Sequence, residues 1–262
     1  MSSIGASAAV RTYSYWFLQY RRTWRGSLTT TVLSPVMYLA AMGIGLGSLV
    51  KSGSGTNGLT YLQFVAPGLL AATAMQTAAA ESTYPVFGSF KWIRNYHAMA
   101  ATPLTPADIL TGHVLWIASR IAMSSGIYLA IVAAFGALRT PLAILALPVC
   151  VLVGLAFATP IAAYSATRET DYSFSALQRF GIVPMFLFSG TFFNVGQLPW
   201  AIRPVAWVTP LWHGVGLARD VTTGTLEWGG WWLVALHMLY LVVLTWIGIL
   251  VSLRNFRRRL AM

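Results

Sequence analysis

The sequence predicts an all-α integral membrane protein with six transmembrane helices. Three observations carry that reading. Six apolar stretches are each about long enough to cross a bilayer, and they lie between arginine-rich ends. Only 9% of the 262 residues are charged, while 57% are hydrophobic. A soluble domain of this size needs a polar shell, which this composition cannot supply. In hydrocarbon the backbone must satisfy its own hydrogen bonds, and roughly 20 apolar residues per helix do so across a ~30 Å core.

Residues 7–25 are expected to form a helix lying on the membrane surface. At a helical repeat Val10, Tyr13, Phe17, Tyr20 and Trp24 fall on one side, and Arg11, Arg21, Arg22 and Arg25 on the other. An aromatic face toward acyl chains and a basic face toward lipid phosphates is the interfacial pattern. The alternative is an ordinary basic flank before a span. A cleavable signal is not expected, because the basic region and the apolar stretch after it are both too long. The spans are placed near 28–50, 61–83, 108–135, 142–165, 172–193 and 228–252. Gly43, Gly45 and Gly47 on the first, and Ala71, Ala74 and Ala78 on the second, make small-residue faces suited to close helix packing.

Basic residues orient the chain. Arg11, Arg21, Arg22, Arg25, Lys91, Arg94, Arg168, Arg254, Arg257, Arg258 and Arg259 fall on one side of these spans. Lys51, Arg139, Arg203 and Arg219 fall on the other. Positive residues stay cytoplasmic, so both termini are expected inside a bacterial plasma membrane. The net charge of +11 then reflects topology and anionic lipid. Nucleic acid is not an expected partner, because the basic residues are scattered over separate loops. Cys150, the single cysteine, falls in the fourth span and excludes an intrachain disulfide.

Two segments break the regular pattern. In Phe87 to Ala100 aromatic and basic residues mix without proline, as in a short helix. Thr102-Pro103 ends it, and Thr105-Pro106-Ala107-Asp108 starts the next, with proline and an acid in the first turn. Held between two spans, such a helix can carry force from a soluble partner; the alternative is a plain connecting loop. On the outer side, residues 194–226 are too apolar for a free loop. Pro199, Pro204 and Pro210 nevertheless forbid one continuous spanning helix. A re-entrant hairpin shielded by protein fits both facts.

These segments resemble the type-2 ABC exporter permeases, nearest to those of nodulation-factor export and daunorubicin resistance. The resemblance rests on FVAPGLLAATAMQTAAAESTYPVF at 64–87, ATPLTPADILTGHVLW at 101–116, FLFSGTFFNVGQLPW at 186–200 and TPLWHGVGLARD at 209–220. It implies an interfacial helix, a coupling helix after the second span and a re-entrant outer hairpin before the sixth. It also implies a second permease subunit, identical or related, and two cytoplasmic ABC ATPase subunits. The chain has no Walker-type glycine loop, since no glycine precedes a lysine. ATP and magnesium are therefore expected on the partner ATPase, and the permease itself is not expected to be an enzyme. Phe90, Trp92 and Tyr96 are the expected anchors on that ATPase. A cleft lined by the first, second and fifth spans is the expected cargo path, with Phe186, Phe188, Phe192 and Phe193 as an aromatic exit; lipid-facing packing is the alternative for these rings.

Charge inside the membrane is costly, by roughly 2.5–3.5 kcal/mol on insertion scales. Glu81 is therefore expected to pair with Arg120 or Arg179. His237 is expected to be a hydrogen-bonded packing residue. The function expected is outward, ATP-driven movement of a lipophilic, drug-like or lipid-linked molecule. A lipid-modifying membrane enzyme would need clustered acids, bases or ligands, and His97, Asp108 and His113 have no ligand spacing. A proton-coupled transporter would need paired intramembrane carboxylates, and Glu81 is the one acid assigned to a span interior.

Overall fold

The computed structural model describes residues 2–45, 58–224 and 230–261, all of their regular structure helical. Lys51, Gly47, the outer end of the first expected span and the start of the last lie outside them. Helix α1 runs Ser2–Ala40 and ends in a π-helical turn, Ala41–Gly45. It is followed by α2 (Tyr61–Ser82), α3 (Tyr84–Lys91), α4 (Asn95–Ala100) and α5 (Pro106–Ala134). A 3₁₀ turn, Pro141–Leu145, leads into α6 (Ala146–Ser165). Then come α7 (Tyr172–Ala176), a π-helical stretch Leu177–Ile182 and α8 (Val183–Phe188). Helices α9 (Arg203–Val208), α10 (Pro210–Thr223) and α11 (Trp231–Leu260) complete the chain.

Among the described residues three helical segments are both long and apolar enough to cross a membrane: Pro106–Ala134, Pro141–Ser165 and Trp231–Leu260. Helix α2 is less apolar because it carries Gln63, Thr73, Gln76, Thr77 and Glu81. It tolerates them by lying inside the bundle, against α5, α6 and α10. Helices α5 and α6 pack on each other, with α1 outside α5 and α11 along α6. The crossings are close where a side chain is missing. A Cβ on Gly112 of α5 would sit 2.5 Å from the Ala9 carbonyl oxygen of α1. One on Gly248 of α11 would sit 2.2 Å from Thr159 Oγ1 of α6 and 2.8 Å from the Pro160 nitrogen. Small residues let helices approach in lipid, where dispersion and interhelical hydrogen bonds must hold the bundle. Here Thr159 Oγ1 and Ser252 Oγ donate across this interface, to the Thr245 and Thr159 carbonyls at 3.1 and 2.8 Å.

Helix starts follow the local chemistry. Thr60 caps α2 with Gln63 as its reciprocal partner, and Thr105 caps α5 with Asp108 in the same way. Both are capping boxes, each satisfying two otherwise orphaned N–H groups. Pro204 and Pro210 stand in the first turns of α9 and α10, where a missing N–H costs nothing.

Several boundaries differ from the sequence reading. A surface helix at 7–25 and a span from 28 merge into one helix, because Gly26 and Ser27 do not interrupt α1. The face it turns to the protein is a third one: Ala8, Ala9, Thr12 and Trp16 are buried, while Val10, Phe17 and Trp24 are exposed. The single short helix expected over 87–100 is two, divided at Trp92–Arg94, with Arg94 in the left-handed region at φ 56°. The fifth apolar stretch stays helical only from Tyr172 to Phe188 and changes pitch midway.

Candidate functional site

Lys91, Arg168 and Arg259 come together at one end of the bundle. There the first half of α1, helices α3 and α4, the start of α5 and the end of α11 share a cluster built on Trp16, Phe90, Tyr96, Ile109, Trp116 and Phe256. Glu169, in the segment after α6, pairs with Lys91 at the end of α3 and with Arg259 of α11 at 3.0 Å. The Lys91 hydrogen bond, with help from Arg259, holds the Glu169 carboxyl below its ordinary value. Arg259 also donates to the Arg168 carbonyl at 3.0 Å. The ionic tie thus fastens three chain segments behind α3.

At this end the three expected anchors divide. Phe90 and Tyr96 are turned inward, 2% and 0% exposed. Phe90 meets Tyr96 and Phe256 edge-on, with centroids 4.8 and 4.9 Å away. Tyr96 hydrogen-bonds His113, which stacks on Trp16 at 4.1 Å. Burial pushes the Tyr96 phenol well above its ordinary pKa. Both rings are thus spent on the chain's own core. Trp92 and its neighbour Ile93 are exposed, 60% and 63%, because the turn at Arg94 lifts them off the packed face. Of the three expected anchors, Trp92 alone is exposed.

Glu81 lies near the end of α2, and its Oε1 accepts from Arg120 Nε of α5 at 2.9 Å, with little of either side chain exposed. The guanidinium also covers the Tyr20 ring at 4.3 Å, so α1, α2 and α5 meet at one charge pair. Arg179 is exposed on the π-helical stretch, beside Gln178 and Ser175, and does not join them.

A cavity of about 180 Å³ opens between α1, α2 and α5, so the third expected span lines it in place of the fifth, which contributes Phe186 alone. Thr31, Ser34 and Tyr38 line it from α1, Thr73, Gln76 and Thr77 from α2, and Ser124 and Tyr128 from α5. Its wall carries hydroxyls and an amide but no charged group. Leu69, Pro35 and Phe186 supply its apolar edge. Of the four expected aromatic residues, Phe186 reaches this cavity and meets Phe192 edge-on at 5.1 Å. Phe193 instead packs under Val195, Leu198 and Ala206, and Phe188 faces outward.

Other polar residues are distributed differently from the sequence reading. Arg219, counted there among outward loop residues, is 4% exposed on α10. Its Nη2 donates to the Gly190 and Phe64 carbonyls at 2.9 and 3.2 Å, and it covers the Phe64 ring at 3.9 Å. Thr209-Pro210 repeats the helix-start grammar of Thr105-Pro106, so the start of α10 is legible in the sequence. His237 packs in a polar contact, its Nδ1 2.5 Å from His213 Nδ1, and His213 stacks on Tyr240 at 4.0 Å. His97 is exposed, Asp108 caps its own helix and His113 is buried beside Tyr96. The three do not converge. Among the described residues no three His, Cys, Asp or Glu side chains are placed to share a metal ion.

Residues 13–223 match the family described as ABC-2 type transporter. The chain is 34% identical over 245 residues to nodulation protein J of Rhizobium leguminosarum bv. viciae, covering 93% of this chain and 92% of that protein. It is 29% identical over 252 residues to nodulation protein J of Sinorhizobium fredii, covering 94% of each. The inner membrane transport permease YadH of Escherichia coli is 22% identical over 197 residues, 75% of this chain and 72% of that one. With a family match spanning most of its length, the chain belongs to the ABC-2 type transporter family.

Proposed function

We propose that this chain is the permease subunit of an ATP-driven exporter. It pairs with a second permease subunit, and two ABC ATPase subunits dock at its basic end. The cargo is amphipathic, lipid-linked or drug-like, and it moves outward across a bacterial plasma membrane in which both termini are cytoplasmic and six segments span. The observation that carries this reading is the cavity between α1, α2 and α5, with eight uncharged polar side chains beside apolar edges. Polar groups at membrane depth are expensive unless they pair or line a passage. A wall of hydroxyls can exchange weak hydrogen bonds with a moving headgroup and release it again, whereas a fixed charge would retain it. Two surfaces support pairing with another permease. Leu33 and Met37 of α1 are exposed close to the cavity, and Phe180, Leu187 and Phe188 leave the 172–188 segment with an apolar face uncovered.

The test is export by cells carrying the chain with its ABC ATPase. Thr73→Phe fills the cavity, and Gln76→Leu removes its amide. Each is expected to cut export about tenfold, the order of a single misplaced or lost cargo contact, while ATPase co-purification stays at the wild-type level. Undiminished export by both variants would exclude this cavity as the path.

A further inference from the structure

We infer that a groove between α6 and α11 is a binding site for one phospholipid whose headgroup carries a net negative charge. It lies apart from the cavity between α1, α2 and α5 and from the α3–α4 turn. The inference needs only that the chain sits in a membrane and does not depend on what it exports. The groove holds about 320 Å³, and both of its walls belong to segments long and apolar enough to cross a membrane. Small residues make it. Gly248 of α11 lies so close to α6 that a Cβ there would meet Thr159 and Pro160, and Ala163 continues the same depression. Ile247 and Val251 border it and are 51% and 44% exposed. This part of the groove is therefore an open apolar trough between two membrane helices, a shape that an acyl chain fills.

One end of the trough is polar, where Tyr164, Thr167 and Asn255 line it. Asn255 Nδ2 donates to the Ala163 carbonyl at 2.9 Å and ties the two helices at this level. Arg168 stands on the same rim. Its guanidinium covers the Tyr164 ring at 4.5 Å, and its Nε and Nη2 donate to Thr167 Oγ1 at 3.2 and 3.1 Å. Among the described residues that guanidinium has no carboxylate partner. Glu169, next in the chain, is held by Lys91 and Arg259, and Asp171 stands at the head of α7. Helical spacing adds two cations to the rim. Arg254 and Arg258 are exposed on α11, three residues beyond the lining residues Val251 and Asn255, and residues three apart share a helix face. An apolar trough that ends in unpaired guanidinium complements an amphiphile with an acyl tail and an anionic head. Arginine binds phosphate oxygens through charge-assisted hydrogen bonds, and basic pockets between membrane helices suit anionic headgroups. A phosphocholine head brings its own fixed cation against the same arginines, so net charge sets the preference.

The test uses the full-length chain purified in mild detergent and native mass spectrometry. Phosphatidylglycerol and phosphatidylcholine with identical acyl chains are titrated in turn. The glycerol lipid should be retained about tenfold better, the preference expected of a hydrogen bond between charged groups. Arg168→Gln keeps the stem but loses the charge, and should bring the two lipids to parity. Val251→Phe fills the trough without touching a charge, and should lower retention of the glycerol lipid severalfold. Arg22→Gln removes a cation from α1 and should leave the preference unchanged. Should Arg168→Gln fail to fold, the Val251→Phe result decides alone. Equal retention of both lipids by the wild type, undiminished retention in the folded variants, or an equal loss with Arg22→Gln would overturn the site. Competition by water-soluble glycerophosphoglycerol at equal concentration would overturn the lipid as its occupant. So would a photoreactive residue in place of Val251 that crosslinks, in membranes, to a polypeptide instead of to lipid.

Discussion

Ion pairing inside the bundle shows how one contact is legible in sequence and another is not. Glu81 has few possible counterions, and a charge at membrane depth has to find one. The pairing with Arg120 over Arg179 follows from geometry. Arg120 projects from α5 into the angle between α1 and α2, while Arg179 lies on an exposed stretch of irregular pitch. The burial of Arg219 depends instead on two distant carbonyls and a ring. No local pattern announces those. The Glu81–Arg120 pair predicts a double-mutant cycle. Glu81→Ala and Arg120→Ala should each destabilise the purified chain by about 3 kcal/mol, as expected when one partner of a buried pair is removed. The double variant should lose clearly less than the sum, since neither charge is then stranded. Additive losses in denaturant melts would show that the pair is not coupled.

At the scale of the element, helix starts were the most readable features. Thr105-Pro106-Ala107-Asp108 contains its own cap and counter-cap, and the structure realises both. The break inside 87–100 was not readable, because it rests on Arg94 adopting a left-handed conformation that non-glycine residues rarely take. Nor could composition say which aromatics of that segment face outward. The two-helix geometry now separates them by role. Phe90→Ala and Tyr96→Ala should each destabilise the permease by about 3–4 kcal/mol, the range for truncating a buried aromatic. Trp92→Ala combined with Ile93→Ala should leave the fold intact and lower recovery of the ABC ATPase on co-purification. An intact complex with the doubly substituted turn would move the docking surface elsewhere.

For the whole molecule, the class was legible from composition and apolar length, while the arrangement was not. The central place of α2, despite its glutamines and threonines, comes from tertiary shielding by α5, α6 and α10. Of the helices after Thr191, α10 packs on α2 and α6, while α9 leaves Val205, Trp207 and Val208 exposed. Orientation remains open to direct measurement. With Cys150→Ser as background, single cysteines at Ser2, Ser52, Arg203 and Met262 report sidedness to an impermeant thiol reagent. Labelling from outside is expected at 52 and 203 and not at 2 or 262. Outside labelling at 262 would contradict an even number of crossings. The central claim, that cargo passes between α1, α2 and α5 under the control of ATP, is tested most directly by photocrosslinking. A photoreactive lipid analogue is presented to the assembled complex, with and without trapped ATP, and labelled peptides are mapped. The account predicts labels near Thr31, Thr73 and Phe186 whose intensity changes when ATP is trapped. Labels confined to the outer face of α11, the same in both states, would contradict it.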